Sequence, residues 1–314
     1  MVLFQGWYIV VIVSSEIMKP CHLVEIVTPK KYILNGLLFG PVHPMRVIIF
    51  VHGLASSAFQ TSLAYLWSDK HTAVLTFSNR GHDKISKLYR SARTKKGYSS
   101  AWAGEAHEIF VDCVDDIQGA IDFVYSSGAT EIYLAGHSTG CQKSVYYVSK
   151  RKTDILRGLI LIAPLSDYAV ITTVVTPAQL ARATAVARGL VKAGGSHQLM
   201  PKHIWNDTID AQRFLSLYAP DSPEEIFTYA RSQRRPAALE KVRLPILVIL
   251  AEEDEYRDQS MEEVAGWFNS HIVAEKSVCI IEHALHGFHG TERAVAQKVK
   301  AWLREKRYMH RIND

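Results

Sequence analysis

The five residues Gly136, His137, Ser138, Thr139 and Gly140 constrain the fold of this chain more than any other stretch. They follow the short apolar run 132–135 and precede an amphipathic segment, so the local pattern is strand, sharp turn, helix. A serine in such a G-x-S-x-G turn sits on a strained bend, and the flanking glycines leave room for strand and helix to pack closely. The hydroxyl of Ser138 is then presented rather than buried. The bare pattern also occurs in ordinary glycine-rich turns, so its surroundings have to decide.

Those surroundings alternate strand and helix. Residues 22–28 and 32–39 read as an opening antiparallel pair, and further strands are expected at 47–51, 73–77, 132–135, 159–162, 246–250 and 277–281. Between them, Phe110, Cys113, Val114, Ile117, Ile121 and Val124 recur at helical spacing, and Val295, Val299, Trp302 and Leu303 share one face of a final helix. Alternation of this kind implies a parallel sheet covered on both faces. The interval from Leu165 to Ala238 breaks the rhythm. Thr176 before Pro177 is a helix start, and Ser222 before Pro223 with Glu225 is read as a second one.

Two further segments fall where acyl chemistry at Ser138 would need them. His52, Gly53 and Leu54 directly follow the strand at 47–51, and glycine there allows the amide of Leu54 to point at a developing oxyanion, with the amide of Thr139 as second donor. The strand at 246–250 leads into Asp254, and the strand at 277–281 leads into His286. Ser138, Asp254 and His286 occur in the chain order of the α/β-hydrolase triad, each just after an expected strand.

From Val24 to the C-terminal helix the chain resembles an α/β-hydrolase of the serine esterase and lipase type. The resemblance implies a mostly parallel eight-stranded sheet with helices on both faces and a helical cap after the sixth strand, at about residues 166–238 of a domain spanning 18–314. It assigns Ser138 as nucleophile, His286 as base and then acid, and Asp254 as the group that orients the imidazole. His286 is preferred over His289 because the superfamily histidine is typically followed by a small residue and an aromatic, here Gly287 and Phe288. His283 stays open. Asp167 is the second choice for the acid, since some members carry it after the sixth strand. The turn at Asn79, Arg80, Gly81 and His82 also resembles the superfamily's turn after the fourth strand, and Gly-His-Ser-Thr-Gly-Cys-Gln with Lys143 is similar to fungal siderophore esterases and their bacterial relatives.

The implied reaction is hydrolysis of a small-molecule ester. The same triad also serves acyl transfer, thioester hydrolysis and carbon–carbon bond hydrolysis, and a ligand-binding receptor on a silent hydrolase scaffold is the alternative outside enzymology. His283, His286 and His289 form an H-x-x-H-x-x-H string, but Gly287 and Gly290 argue for a loop rather than a helix with ligands at i and i+4, so no metal is assigned. No phosphate-cradling glycine loop or nucleotide fingerprint is present, and no cofactor is implied.

A net charge of +5 over 314 residues, widely spread, gives no nucleic-acid footprint. The basic run Lys84, Lys87, Arg90, Arg93, Lys95 and Lys96 is read as a solvated loop near the site rim, with attraction of an anionic substrate as the functional alternative. Cys21, Cys113, Cys141 and Cys279 lack metal or redox spacing, and three of them fall in expected helix or strand cores, which fits small buried side chains in a reducing cytoplasm. Residues 2–13 are almost wholly apolar, yet they lack a basic leader and a cleavage site and are short for a bilayer. Residues 1–17 are therefore read as an over-extended start before Met18, with a membrane tether, an export signal or an extra edge strand as alternatives. Membrane association is not expected, and the sequence assigns no oligomeric state.

Overall fold

The computed structural model describes residues 19–313 apart from Thr61, Lys152, Thr153 and Ser232. The apolar segment 1–17 lies outside the described residues. The chain forms β1 (His22–Val27), β2 (Tyr32–Phe39), β3 (Arg46–Val51), β4 (Thr72–Phe77), β5 (Ser86–Ser91), β6 (Tyr98–Ala103), α1 (Cys113–Ser126), β7 (Glu131–His137), α2 (Thr139–Lys150) and β8 (Leu156–Ile162). It continues through α3 (Asp167–Val174), α4 (Pro177–Lys192), α5 (Ala211–Tyr218), β9 (Ile246–Ala251), α6 (Met261–His271), β10 (Lys276–Ile281) and α7 (Glu292–Asn313).

The strands make one sheet in the order β10-β9-β8-β7-β3-β4-β2-β5-β6, with β1 paired to β2. From β10 to β4 every pairing is parallel, while β2 pairs antiparallel with β4, β1 and β5, and β5 pairs antiparallel with β6. The fold is that of an α/β-hydrolase. Its eight expected strands are all present, and the β5–β6 hairpin enlarges the sheet to 10 strands.

The parallel strands read as unbroken apolar runs because both faces are buried. Val47, Ile49 and Val51 of β3 pack toward α1, α2 and α6, with Ile117, Val145 and Phe268 in the same cluster. Ile48 and Phe50 point the other way, into a cluster with Trp67 of the short 3-10 helix Ala64–Trp67 and with Val295, Val299 and Trp302 of α7. A third apolar cluster lies outside the sheet layers. Leu180, Ala183 and Ala187 of α4 meet Phe214 and Leu217 of α5, and half-buried Leu54 packs against it.

Helix α4 starts as its sequence demands: Thr176 and Gln179 form a reciprocal capping box, with Pro177 at the first position. The second expected start does not hold. Ser222 precedes no helix. Its hydroxyl donates to the Ser216 carbonyl at 2.5 Å, and the Glu224 and Glu225 carboxylates are drawn to Arg213 and Ser166 instead of back to a helix start. Among the described residues, the last α-helix before β9 is instead α5, capped by Asp210.

The basic run is corrected as well. Lys87 and Arg90 lie on β5 rather than in a loop, Lys84 pairs with Glu105 and Asp207, and the Arg90 guanidinium donates to the Lys30 carbonyl. No helix among the described residues is long and apolar enough to cross a membrane.

Candidate active site

The turn between β7 and α2 holds Ser138 at φ 54°, ψ −127°, a left-handed conformation that a side chain adopts only at a cost of order 1 kcal/mol or more. Its surroundings enforce it. A Cβ on Gly140 would run into the Val51 carbonyl of β3, and one on Gly136 would run into Gly140 itself. The Ser138 amide donates to the Ile162 carbonyl at 3.0 Å, and its carbonyl accepts from the Cys141 amide at 2.8 Å. The half-buried side chain faces a cavity of about 470 Å³ whose walls include Leu54, Glu105, Asp167, Tyr218 and His286.

His286 reaches that cavity from the loop after β10 and is held on every side. Its Nδ1 lies 2.8 Å from Asp254 Oδ2, and its amide donates to Glu255 Oε2 at 2.8 Å. The Tyr256 ring meets it edge-on at 4.9 Å, and the His137 ring tilts against it at 5.1 Å. The other carboxylate oxygen of Asp254 accepts from the Tyr256 amide at 3.0 Å. Both Asp254 and His286 are buried. With Nδ1–H committed to the carboxylate, Nε2 is the nitrogen left to take up a proton.

Two neutral histidines support this loop and the β3 loop. Burial, then the neighbouring His286, lowers His137 to about 4, so it stays uncharged and donates Nε2–H to the His286 carbonyl at 2.9 Å. Burial, then Lys143, lowers His52 to about 3. Its Nε2 accepts from the Asn79 amide at 3.2 Å, which leaves Nδ1–H to donate to the Gly53 carbonyl at 2.8 Å. The Gly53 position is equally constrained, since a Cβ there would sit 2.9 Å from Ser138 Cβ.

Leu54 lines the cavity from this loop, and Thr139 is the first residue of α2. The amide of a first helical residue has no intrahelical acceptor and points with the positive end of the helix dipole.

The alternatives for acid and base have other partners, although Asp167 and His289 also line the cavity. Asp167 opens α3 and accepts from Gln142 at 2.9 Å; burial, then Glu224, pushes its carboxyl well above the ordinary range. His283 is exposed and pairs with Glu253 and Glu252, whose carboxylates raise it above its ordinary value. His289 lines the cavity, but its ring is mostly in solvent, 3.9 Å from Glu292. The three histidines of the H-x-x-H-x-x-H string thus have separate partners.

A buried charge network escaped the sequence reading. Lys143 of α2 pairs with Glu108 at 2.6 Å, Glu108 pairs with Arg213 of α5 at 2.8 Å, and Arg213 pairs with Glu224. Lys143 and Arg213 are fully buried. The one available signal was Lys143 itself, a cation within two turns of Ser138 on a helix buried against the sheet.

A second buried acid ties the start of α3 to the segment after α5. Glu225 accepts from Ser166 Oγ at 2.7 Å, and that hydroxyl caps α3 by accepting from the Ala169 amide. Burial raises Glu225 to about 7. Its contribution is therefore complete below about pH 4.5, the value in an unfolded chain, and is lost as pH rises through 7. At 1.36 kcal/mol per unit the difference is about 3 kcal/mol. Glu225→Gln, which mimics the protonated form, should gain that much stability relative to wild type between pH 4.5 and pH 8 in urea unfolding. A pH-independent difference would refute the assignment.

Residues 92–306 match the protein family described as "Protein of unknown function (DUF1749)". No curated protein sequence matches the chain. Among solved structures, the siderophore hydrolase EstB from Aspergillus fumigatus is similar at 18% identity and TM-score 0.63, covering 91% of this chain and 98% of that one. Est1E from Butyrivibrio proteoclasticus, with ferulic acid bound, is similar at 16% identity and TM-score 0.58, covering 90% and 98%. The esterase Pf2001 from Pyrococcus furiosus follows at 17% and 0.55, covering 92% and 90%. Sheet order, turn geometry and these likenesses define the chain as an α/β-hydrolase-fold protein. Within that class it belongs to the DUF1749 family.

Proposed function

We propose that this protein is a serine hydrolase that cleaves a carboxylic ester through an acyl-enzyme. The observation that carries the reading is the 2.8 Å contact of His286 Nδ1 with Asp254, with Ser138 on its strained turn facing the same cavity. Ser138 Oγ attacks the ester carbonyl while His286 Nε2 takes its proton, and buried Asp254 stabilises the resulting imidazolium. The tetrahedral oxyanion is received by the amides of Leu54 and Thr139, each worth about 3 kcal/mol of transition-state stabilisation. The imidazolium returns the proton to the leaving alcohol. Water then attacks the acyl-enzyme by the same route and releases the carboxylic acid and free Ser138.

Helices α3, α4 and α5 act as a cap: Asp167 of α3 and Tyr218 of α5 form cavity walls. Those walls carry the carboxylates of Glu105 and Glu255 rather than the basic run, which favours a neutral substrate over an anionic one. The reading of a reducing, cytoplasmic setting is supported by four free cysteines.

A fluorophosphonate probe tests the proposal, because it phosphonylates only an activated serine. Mass spectrometry should find the adduct on the peptide containing Ser138, and p-nitrophenyl ester turnover should fall in proportion to labelling. Ester turnover that persists in fully labelled protein, or folded protein that takes no label, would overturn it.

A further inference from the structure

Away from the catalytic cavity, two imidazoles and a carboxylate converge on one point. His107 follows β6 in a single 3-10 turn, His197 lies between α4 and α5, and Asp210 caps α5. Asp210 is completely buried, and one of its carboxylate oxygens is occupied by the Arg213 amide at 2.8 Å. The other oxygen lies 3.1 Å from His107 Nδ1 and 2.9 Å from His197 Nδ1. All three ligand atoms fall within 4.8 Å of one another.

We propose that His107, His197 and Asp210 form a Zn²⁺ site that ties the helical roof to the sheet. Imidazole nitrogen and carboxylate oxygen are Zn²⁺ ligands with bonds of about 2.0–2.2 Å, so tetrahedral neighbours stand about 3.3 Å apart. The observed nitrogen–oxygen separations are within a few tenths of an ångström of that figure, and small ring rotations admit the ion. The solvent-exposed side of His197 leaves the fourth position to water.

The frame around the site is already fixed by backbone hydrogen bonds. The Asp210 amide donates to the Ala106 carbonyl at 2.9 Å, the Gln212 amide to the Ser196 carbonyl at 3.0 Å, and the Ala211 amide to the Gln198 carbonyl at 2.9 Å. Each histidine is therefore flanked by a peptide bonded to the α5 start, and the donor on Asp210 Oδ1 orients the ligating carboxylate. Without metal, one carboxylate oxygen serves two imidazole donors. With metal, both Nδ1 atoms and that oxygen gain a common partner, and three chain segments are cross-linked. The inference does not depend on the esterase reading, since none of these three residues lines the catalytic cavity.

The test uses the full-length protein after EDTA treatment and dialysis. Calorimetric titration with Zn²⁺ should show one equivalent bound with micromolar or tighter Kd, and Tm should rise with Zn²⁺ concentration. Co²⁺ should give the visible absorption of a four-coordinate site. His197→Ala removes a mostly exposed ligand, so the variant should fold normally and bind about tenfold or more weakly. His283→Ala, which dismantles the exposed Glu252, Glu253 and His283 group, should bind as wild type does. Absence of binding at 100-fold the protein concentration, or unchanged binding by folded His197→Ala, would overturn the proposal. Binding lost only in His283→Ala would place the ion elsewhere and overturn it equally.

Discussion

Ser138→Ala should abolish ester hydrolysis while leaving the fold intact. The substitution keeps the Cβ that the strained turn already accommodates, and it removes a half-buried hydroxyl at the cavity wall. Melting temperature should change little, whereas kcat/KM should fall by about 10⁶-fold. Asp254→Asn should cost about 10⁴-fold, for a reason the geometry supplies. Both oxygens of Asp254 accept hydrogen bonds, one from His286 Nδ1–H and one from the Tyr256 amide. An asparagine can face only one of these donors with its oxygen. Turned the wrong way, its amide forces the proton of His286 onto Nε2, the nitrogen that must receive the proton of Ser138. Adding either change to Ser138→Ala should cost little more, because the three side chains act as a unit. If Asp167→Asn proves far more damaging than Asp254→Asn, the acid is misassigned; if folded Ser138→Ala keeps more than a small fraction of turnover, so is the nucleophile.

Much of the fold was legible because two strong periodicities and one strained turn agree. Residues 47–51 and 246–250 are apolar on both faces, as only a covered parallel strand demands, and Gly136 and Gly140 mark a turn where strand and helix approach too closely for a Cβ. The β5–β6 hairpin was hidden for the opposite reason. Its residues alternate weakly, with Ser86 and Leu88 buried and the rest of β5 exposed, while β6 is exposed from Tyr98 to Trp102. It therefore carries no core signal, and its cations drew it toward a loop. The failed helix start at Ser222 shows a local signal losing to tertiary contacts: Glu224 and Glu225 are held by Arg213 and Ser166, and Ile226 and Phe227 are buried in the sheet core.

The candidate site divides in the same way. The sequence placed Ser138, Asp254 and His286 at strand ends, and a short strand end is the position where spacing alone locates a side chain. The supporting charges were mostly opaque because charged residues default to solvent: Lys143 stands out only by its place on the helix after Ser138, and nothing local distinguishes Arg213 from a surface cation. Only the approach of α2, the segment after β6 and α5 in three dimensions reveals that they share Glu108.

That sharing makes Glu108→Ala the most destabilising single change expected outside the hydrophobic core. Burial alone would raise the Glu108 carboxyl, yet Lys143 and Arg213 together hold it below the ordinary range, so it is ionised between two cations. Removing it strands Lys143 with only a 3.4 Å contact to Asn79 Oδ1 and leaves Arg213 with Glu224. Breaking one partner of a buried ion pair typically costs 3–5 kcal/mol, because the other charge stays in a medium that solvates it poorly. The urea midpoint of Glu108→Ala should drop accordingly. The double variant Lys143→Met with Glu108→Ala removes that stranded charge while the Arg213–Glu224 pair survives, so it should be clearly more stable than Glu108→Ala alone. This ordering separates a charge effect from loss of packing volume, which the two changes share at Glu108. A Glu108→Ala protein within about 1 kcal/mol of wild type would show that water reaches the Lys143 ammonium and that the network does not couple α2 to the roof.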